Sequence, residues 1–478
     1  MRVITNAFWL SFSRIGADLL SFVLFAAISR SFGPAGTGEY SYAFAVATLV
    51  ALAVTAGFED YGIRQYARTS EEQRPRLWQN LLSTQCVQLL LVCVAFAIFL
   101  VATPMTATRQ VVVLELSIYV VGWTISYTFF IPSLASQAMA GPALMDLACR
   151  MSAILYALVL PLFGHFSLPL LLAGFPLAGL ALAALALRSA SRHGASLGVN
   201  LSWRGVTSTW RATSAFAGSE ILNQFYARAD LLLIAYFLGT ASVGLYATDI
   251  KFVEVGILPL VLLGTAAYPL LSSHAAREPD AFRLSARDFT RIVFFASGWL
   301  AVGMFCVIPL LIVPLFGDKF APSAAMLPWF ALFVMLKSWE VAFYRLLYAL
   351  KRQQFYFLSL VIGTVVIVVL NLEFIPVYGL QGAVAAAVVS NLVVNVACAA
   401  GLARKLGGSF LGLILGRLAL ALGATAALVA LLERVLGATQ WVTALAAAVV
   451  YPLLGSILGM VPHPSHSLLL REARVQSP

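Results

Sequence analysis

Arg14, Arg228 and Lys251 are cations, and Asp18, Glu220, Asp230 and Asp249 acids, set inside long apolar runs of the chain. An ionised side chain at membrane depth is costly and is kept mainly where it faces a bundle interior, a watery cavity or a partner charge. The cations have the chemistry to hold a phosphate, which a bidentate guanidinium does best. The acids have the chemistry to carry a proton or a sodium ion, or to neutralise the cations. Five of the seven lie between Ser214 and Glu254, where Glu220, Asn223, Gln224, Arg228 and Asp230 share one apolar run and Asp249, Lys251 and Glu254 the next.

Helical spacing narrows the pairings. Arg14 and Asp18, four apart, can pair on one face, and so can Lys251 with Glu254 and Lys337 with Glu340. Glu220, Gln224 and Arg228 share a stripe, whereas Arg228 and Asp230 point about 200° apart and cannot. Asp230 and Asp249 fit either a proton or sodium site or ion pairs with Lys251 or Arg228. Arg150, Arg345 and Arg417 lie near cytoplasmic ends, where snorkelling accounts for them. Glu115 is assigned no role. Tyr42, Trp123, Tyr127, Phe225 and Tyr226 read as core packing or interface anchors. No metal site and no cofactor are expected. Cys86, Cys93, Cys149, Cys306 and Cys398 form no C-x-x-C pair and read as small buried residues, while His165, His193, His274, His463 and His466 are assigned to loops or the tail.

The elements that carry these residues are membrane helices. Of 478 residues 61% are hydrophobic and 10% charged, where a soluble domain carries about 25% charged residues. The formal charge of +10 reads as cytoplasmic loops rather than as a nucleic-acid surface. Fourteen spans of about 20 apolar residues can be drawn, the first at 6 to 30 and retained, because Arg14 and Asp18 interrupt what a cleavable signal would need. Segments 144 to 164 and 167 to 187 are the narrowest division. With a cytoplasmic N-terminus, nineteen Lys and Arg fall in loops on the inside and four outside (Arg30, Arg109, Lys319, Arg434), the rest lying in helices. Both termini are therefore expected in the cytoplasm. No G-x-x-x-x-G-K-[ST] loop occurs and no loop exceeds about 25 residues, which excludes a nucleotide-driven pump. Short outer loops make a membrane glycosyltransferase or polymerase the less favoured alternative.

FGPAGTGEY (Phe32 to Tyr40) matches LGTASVGLY (Leu238 to Tyr246) at Gly33/Gly239, Ala35/Ala241, Gly38/Gly244 and Tyr40/Tyr246, 206 residues on. The fold class is accordingly an all-α integral membrane protein of two parallel six-helix lobes plus two C-terminal helices. The expected divisions are an N-terminal lobe at 1–187, a cytoplasmic linker at 188–212, a C-terminal lobe at 213–403, helices 13 and 14 at 404–461 and a cytoplasmic tail at 462–478. The basic stretches Arg64 to Arg76 and Arg188 to Arg211 fit either amphipathic helices on anionic headgroups or solvated loops.

Arg14 followed by FGPAGTGEY, Asp230 followed by LGTASVGLYATDIK, and IPVYGLQGAVAA (Ile375 to Ala386) resemble, in order and spacing over nearly the whole chain, the polysaccharide and O-antigen flippases of the multidrug/oligosaccharidyl-lipid/polysaccharide exporter superfamily. The resemblance implies a V-shaped transporter of the plasma (inner) membrane with spans one, two, seven and eight lining a cavity. It implies a polyprenyl-pyrophosphate-linked oligosaccharide moved by alternating access from the cytoplasmic to the outer leaflet, without enzymatic chemistry, with H+ or Na+ as coupling ion. Its other partners would be membrane lipids and glycan polymerase machinery. A cation-coupled multidrug exporter and a lipid-linked peptidoglycan-precursor flippase share the fold and remain alternatives. Within the repeat, Arg14 corresponds to Glu220 and Asp18 to Gln224, so Arg14 and Glu220 are expected about 10 to 12 Å deep, either paired with each other as a gate or each paired within its own lobe, Arg14 with Asp18 and Glu220 with Arg228.

The charge asymmetry predicts that membrane-impermeant thiol labelling from outside reaches cysteines introduced at Gly317 or Ala438 and spares those at Ser191 or Ala281. Labelling at Ser191 would overturn the fourteen-span topology.

Overall fold

A computed structural model describes the backbone of residues 2–461 except 56, 137, 165, 193–201, 407 and 435–436, and side chains from residue 15 onward, without those of these residues or of 60, 215, 216, 219 and 404–410. The tail at 462–478, most of the linker loop, and the side chain of Arg14 thus lie outside the described residues. In hydrocarbon every backbone N–H and C=O must be satisfied internally. Among the described residues the regular elements are all helical: α1 (Arg2–Thr55), α2 (Phe58–Arg68), α3 (Arg74–Ala102), α4 (Ala107–Ala135), α5 (Ala140–Val159), α6 (Leu168–Leu172), α7 (Gly174–Arg192), α8 (Trp203–Leu238), α9 (Thr240–Arg277), α10 (Pro279–Val302), α11 (Ile308–Phe316), α12 (Leu327–Ala349), α13 (Gln353–Leu406), α14 (Gly408–Arg434) and α15 (Gln440–Ile457). Eleven stretches are long and apolar enough to cross a membrane. Two of them, in α1 and α13, break at Gly33 and Gly379 and are two spans each. The more polar α8 completes the fourteen.

The chain forms two compact units, one of residues 1–235 with 239–244, the other of 236–238 with 245–478. The first takes in the whole of the Gly239–Gly244 turn because that turn packs on its counterpart in α1. Gly33 (φ 64°, ψ −167°) and Gly239 (φ 79°, ψ 175°) adopt the same backbone conformation, one essentially reserved for glycine. One residue therefore turns one span into the next with almost no loop. The two copies then meet reciprocally: a Cβ on Gly38 would overlap the Thr240 carbonyl, and one on Gly244 would overlap the Pro34 carbonyl. Small residues that let backbones touch are the usual glue between membrane helices. Tyr40 and Tyr246, the last matched pair, are both buried.

Within the first unit, α2 covers the start of the basic stretch Arg64 to Arg76. It is amphipathic, but Phe58 and Tyr66 bury their rings among Trp78, Leu81, Leu82, Ile131 and Ala190, and Arg74 lies 5.2 Å from the centre of the Tyr66 ring. Its apolar face is spent on protein, while Arg64 and Arg68 on its other face are exposed. Two expectations need correction. His274 sits in the last turns of α9, buried, with Nδ1 2.9 Å from the Ser285 hydroxyl. Of the cysteines only Cys398 is buried, whereas Cys86 and Cys93 are exposed on α3. An apolar run looks the same in sequence whether a residue faces protein or lipid, which is why the cysteine reading failed.

Gly38→Ala is expected to lower thermal stability by about 3 kcal/mol, the upper end for overpacking, since the obstacle is backbone and cannot swing aside. Gly218→Ala, whose Cβ meets nothing within 4 Å, serves as control. Equal melting curves for the two variants would show that the turns do not hold the helices together.

Candidate functional site

The charges on α8 lie in the first unit, on a helix held there by polar contacts. Trp210 Nε1 donates to Gln88 Oε1 on α3 (3.1 Å), and Gln88 Nε2 donates to the Ala53 carbonyl at the end of α1. Deeper in, the exposed Glu220 carboxylate accepts from the backbone N–H of Gly57 at 3.0 Å. Gly57 is the left-handed N-cap of α2 and offers no side chain of its own for capping. Glu220 supplies the missing acceptor and places negative charge at a helix N-terminus, where the dipole favours it. The structure thus gives Glu220 a partner that sequence reasoning missed. Its expected partner, Arg14, has no described side chain, and Asp18 is half-buried.

Arg228, two turns on from Glu220, is half-buried with its guanidinium carbon 5.8 Å from the centre of the Phe44 ring of α1, within cation–π range. Asp230 points elsewhere, as its spacing requires. It is buried, and its Oδ1 accepts from the Leu231 N–H at 2.8 Å.

In the second unit Lys251 Nζ pairs with Glu254 at 3.0 Å and Lys337 with Glu340 at 2.8 Å, as spacing predicted. Glu340 also accepts from the Tyr356 hydroxyl at 2.8 Å. With Lys251 on Glu254, Asp249 is left otherwise: it is fully buried and neither carboxyl oxygen has a hydrogen-bond partner. Arg345 and Arg417 do more than snorkel. Arg345 Nη2 donates to Thr265 Oγ1 at 2.8 Å, and Arg417 and Arg291 both donate to the Gly459 carbonyl beyond α15.

The most complete polar cluster was not read from the sequence. Asp146 on α5, buried, accepts from Arg150 Nε at 2.8 Å, Trp123 Nε1 at 2.9 Å and the Tyr127 hydroxyl at 3.4 Å. The Arg150 guanidinium lies 4.1 Å from the centre of the Trp123 ring. Both pairs, 146/150 on α5 and 123/127 on α4, repeat at four residues, the one signal that pointed to shared faces. Nothing in the sequence put the two faces together. The cluster neutralises its own charge, so Arg150 is an element of the bundle rather than a snorkelling end-group.

Fourteen spans, cations and acids at membrane depth and a duplicated glycine turn define a multi-pass membrane protein with the fold of the MOP-superfamily transporters and flippases. The solved structures bear this out: the lipid II flippase MurJ in an inward closed conformation superposes with a TM-score of 0.74 at 14% identity, covering 95% of this chain and 98% of that one. An inward-facing multidrug resistance MATE family transporter gives 0.60 at 13% identity over 81% and 94% of the two chains. A MOP superfamily transporter from Pyrococcus furiosus gives 0.56 at 14% over 84% and 95%. The chain belongs to the polysaccharide biosynthesis protein family, whose model matches residues 3–274. No curated protein matches its sequence.

Asp146→Ala is expected to cost about 3 kcal/mol, the lower end for breaking a buried pair, because part of Arg150 still reaches solvent. Removing the exposed partner of Arg283, as Asp280→Ala, should cost under about 1 kcal/mol. Thermal unfolding of the purified variants checks both, and a harmless Asp146→Ala would refute the role given to the cluster.

Proposed function

We propose that this protein moves a polyprenyl-pyrophosphate-linked oligosaccharide from the cytoplasmic to the outer leaflet of the plasma (inner) membrane by alternating access, for cell-surface polysaccharide biosynthesis. The observation that carries the reading is membership of the polysaccharide biosynthesis family combined with guanidinium and ammonium groups at membrane depth. A diphosphate cannot cross hydrocarbon without counter-charge, and Arg14, Arg228 and Lys251 supply it. Of these, Arg228 carries the bidentate fork that suits a phosphate and lies over the Phe44 ring, and Lys251 is engaged with Glu254. Asp18 and Glu220 are the gate candidates, and Asp230 and Asp249 the ion-coupling candidates. Glycan polymerase machinery is the expected partner on the far side.

A lipid-linked peptidoglycan-precursor flippase is the second reading, favoured by the likeness to MurJ along almost the full length of both chains. Rescue of a strain lacking that activity separates the two. Drug resistance on expression would instead point to a multidrug exporter.

Export of the lipid-linked glycan, measured in cells at matched protein level, should be abolished by Arg228→Ala and retained in part by Arg228→Lys, because a phosphate tolerates a point charge but prefers the bidentate fork. Glu220→Gln, whose amide oxygen still accepts from Gly57 but carries no charge, should lower export less than Glu220→Ala. Full export by Arg228→Ala would remove Arg228 as a substrate ligand.

A further inference from the structure

We propose that Asp249 and Ser323 form a binding site for a monovalent cation, H+ or Na+, within the second unit. The inference rests on the transporter reading and deepens it by naming where the driving ion sits. Asp249 lies on α9 and Ser323 on the short 3-10 helix Asp318–Met326 that precedes α12. Both have 0% exposure. The Ser323 hydroxyl is the side chain that reaches Asp249, but it stands short of a well-formed hydrogen bond, which leaves the two carboxyl oxygens and the hydroxyl unsatisfied.

The surroundings cannot supply what is missing. Tyr246 packs on Phe330 at 5.4 Å between ring centres and Phe252 on Phe316 at 5.6 Å, so aromatic walls lie before and after Asp249 along α9. Lys251 on the same helix pairs with Glu254, and on the facing segment Asp318 and Lys319 are exposed. Tyr246 is the nearest other titratable group along the helix. Among the described residues no charged side chain acts on Asp249.

A buried carboxylate without donors is among the costliest groups a protein can hold, and an unsatisfied polar atom at full burial calls for an absent ligand. A proton turns the carboxylate into a neutral acid that can donate to Ser323. A sodium ion would instead take oxygen ligands from both, the donor type hard cations prefer. Either ion stabilises the state in which the site is closed, and an ion bound better in one state than another shifts the balance between them. This is how a gradient would drive a carrier that has no nucleotide-binding loop.

The test uses the purified full-length chain in lipid nanodiscs, with 22Na+ binding and infrared titration of the carboxyl band measured on the natural sequence, Asp249→Asn and Ser323→Ala. Saturable 22Na+ binding that Asp249→Asn abolishes and Ser323→Ala weakens identifies sodium. A titrating carboxyl band absent from Asp249→Asn and displaced along the pH axis in Ser323→Ala identifies the proton. If both variants match the natural sequence in both measurements, the site does not exist. Should Asp249→Asn fail to fold, Ser323→Ala keeps the acid and decides the matter alone. A cation bound at Asp249 in a protein that exports no glycan would leave the site standing and remove the flippase reading.

Discussion

The contact of backbone on backbone at Gly38 and Gly244 is the constraint from which the arrangement of the functional helices follows. Each glycine lies against a carbonyl of the other turn, Thr240 and Pro34, with no room for even one methyl group. Because Gly33 and Gly239 reverse the chain in a single residue, the spans on either side of each turn start from the same point. Within the first unit, Asp18 lies on the span that enters the first turn and Arg228 and Asp230 on the span that enters the second. In a medium that offers no water to an exposed backbone, close packing of small residues replaces the hydrophobic effect as the force that brings helices together.

Charge inside the bundle is handled in two opposite ways. Asp146 with Arg150, Trp123 and Tyr127, and Glu340 with Lys337 and Tyr356, are closed networks in which the carboxylates have donors. Such networks resist change, since breaking one leaves a charge stranded at a cost of several kcal/mol. Glu220 is intermediate: one of its contacts is the backbone N–H of Gly57 at the start of α2, an interaction that can be made and broken as helices shift. Asp249 is the opposite extreme, fully buried with nothing donated to it.

The polar α8 shows why these functions share one helix. It carries Glu220 and Arg228 along one stripe and Asp230 about 200° away from Arg228, and Trp210, through Gln88 and Ala53, holds its N-terminal half to the rest of the first unit.

The chain by itself determined the number of spans, because length and apolarity are properties of a segment that the bilayer reads one helix at a time. It also determined the repeat, since only glycine tolerates the turn at positions 33 and 239, and the pairs Lys251/Glu254 and Lys337/Glu340, which depend on helical period alone. Tertiary structure decided everything that involves two distant segments: that the repeated glycines touch each other, that Glu220 caps α2, that Trp123 and Tyr127 on α4 close over Asp146 on α5, and that Asp249 meets Ser323 rather than Lys251 or Arg228. The physical reason is that rise and rotation say which residues share a face of one helix, while the neighbour of that face is chosen by close packing across the bundle, which local sequence does not encode.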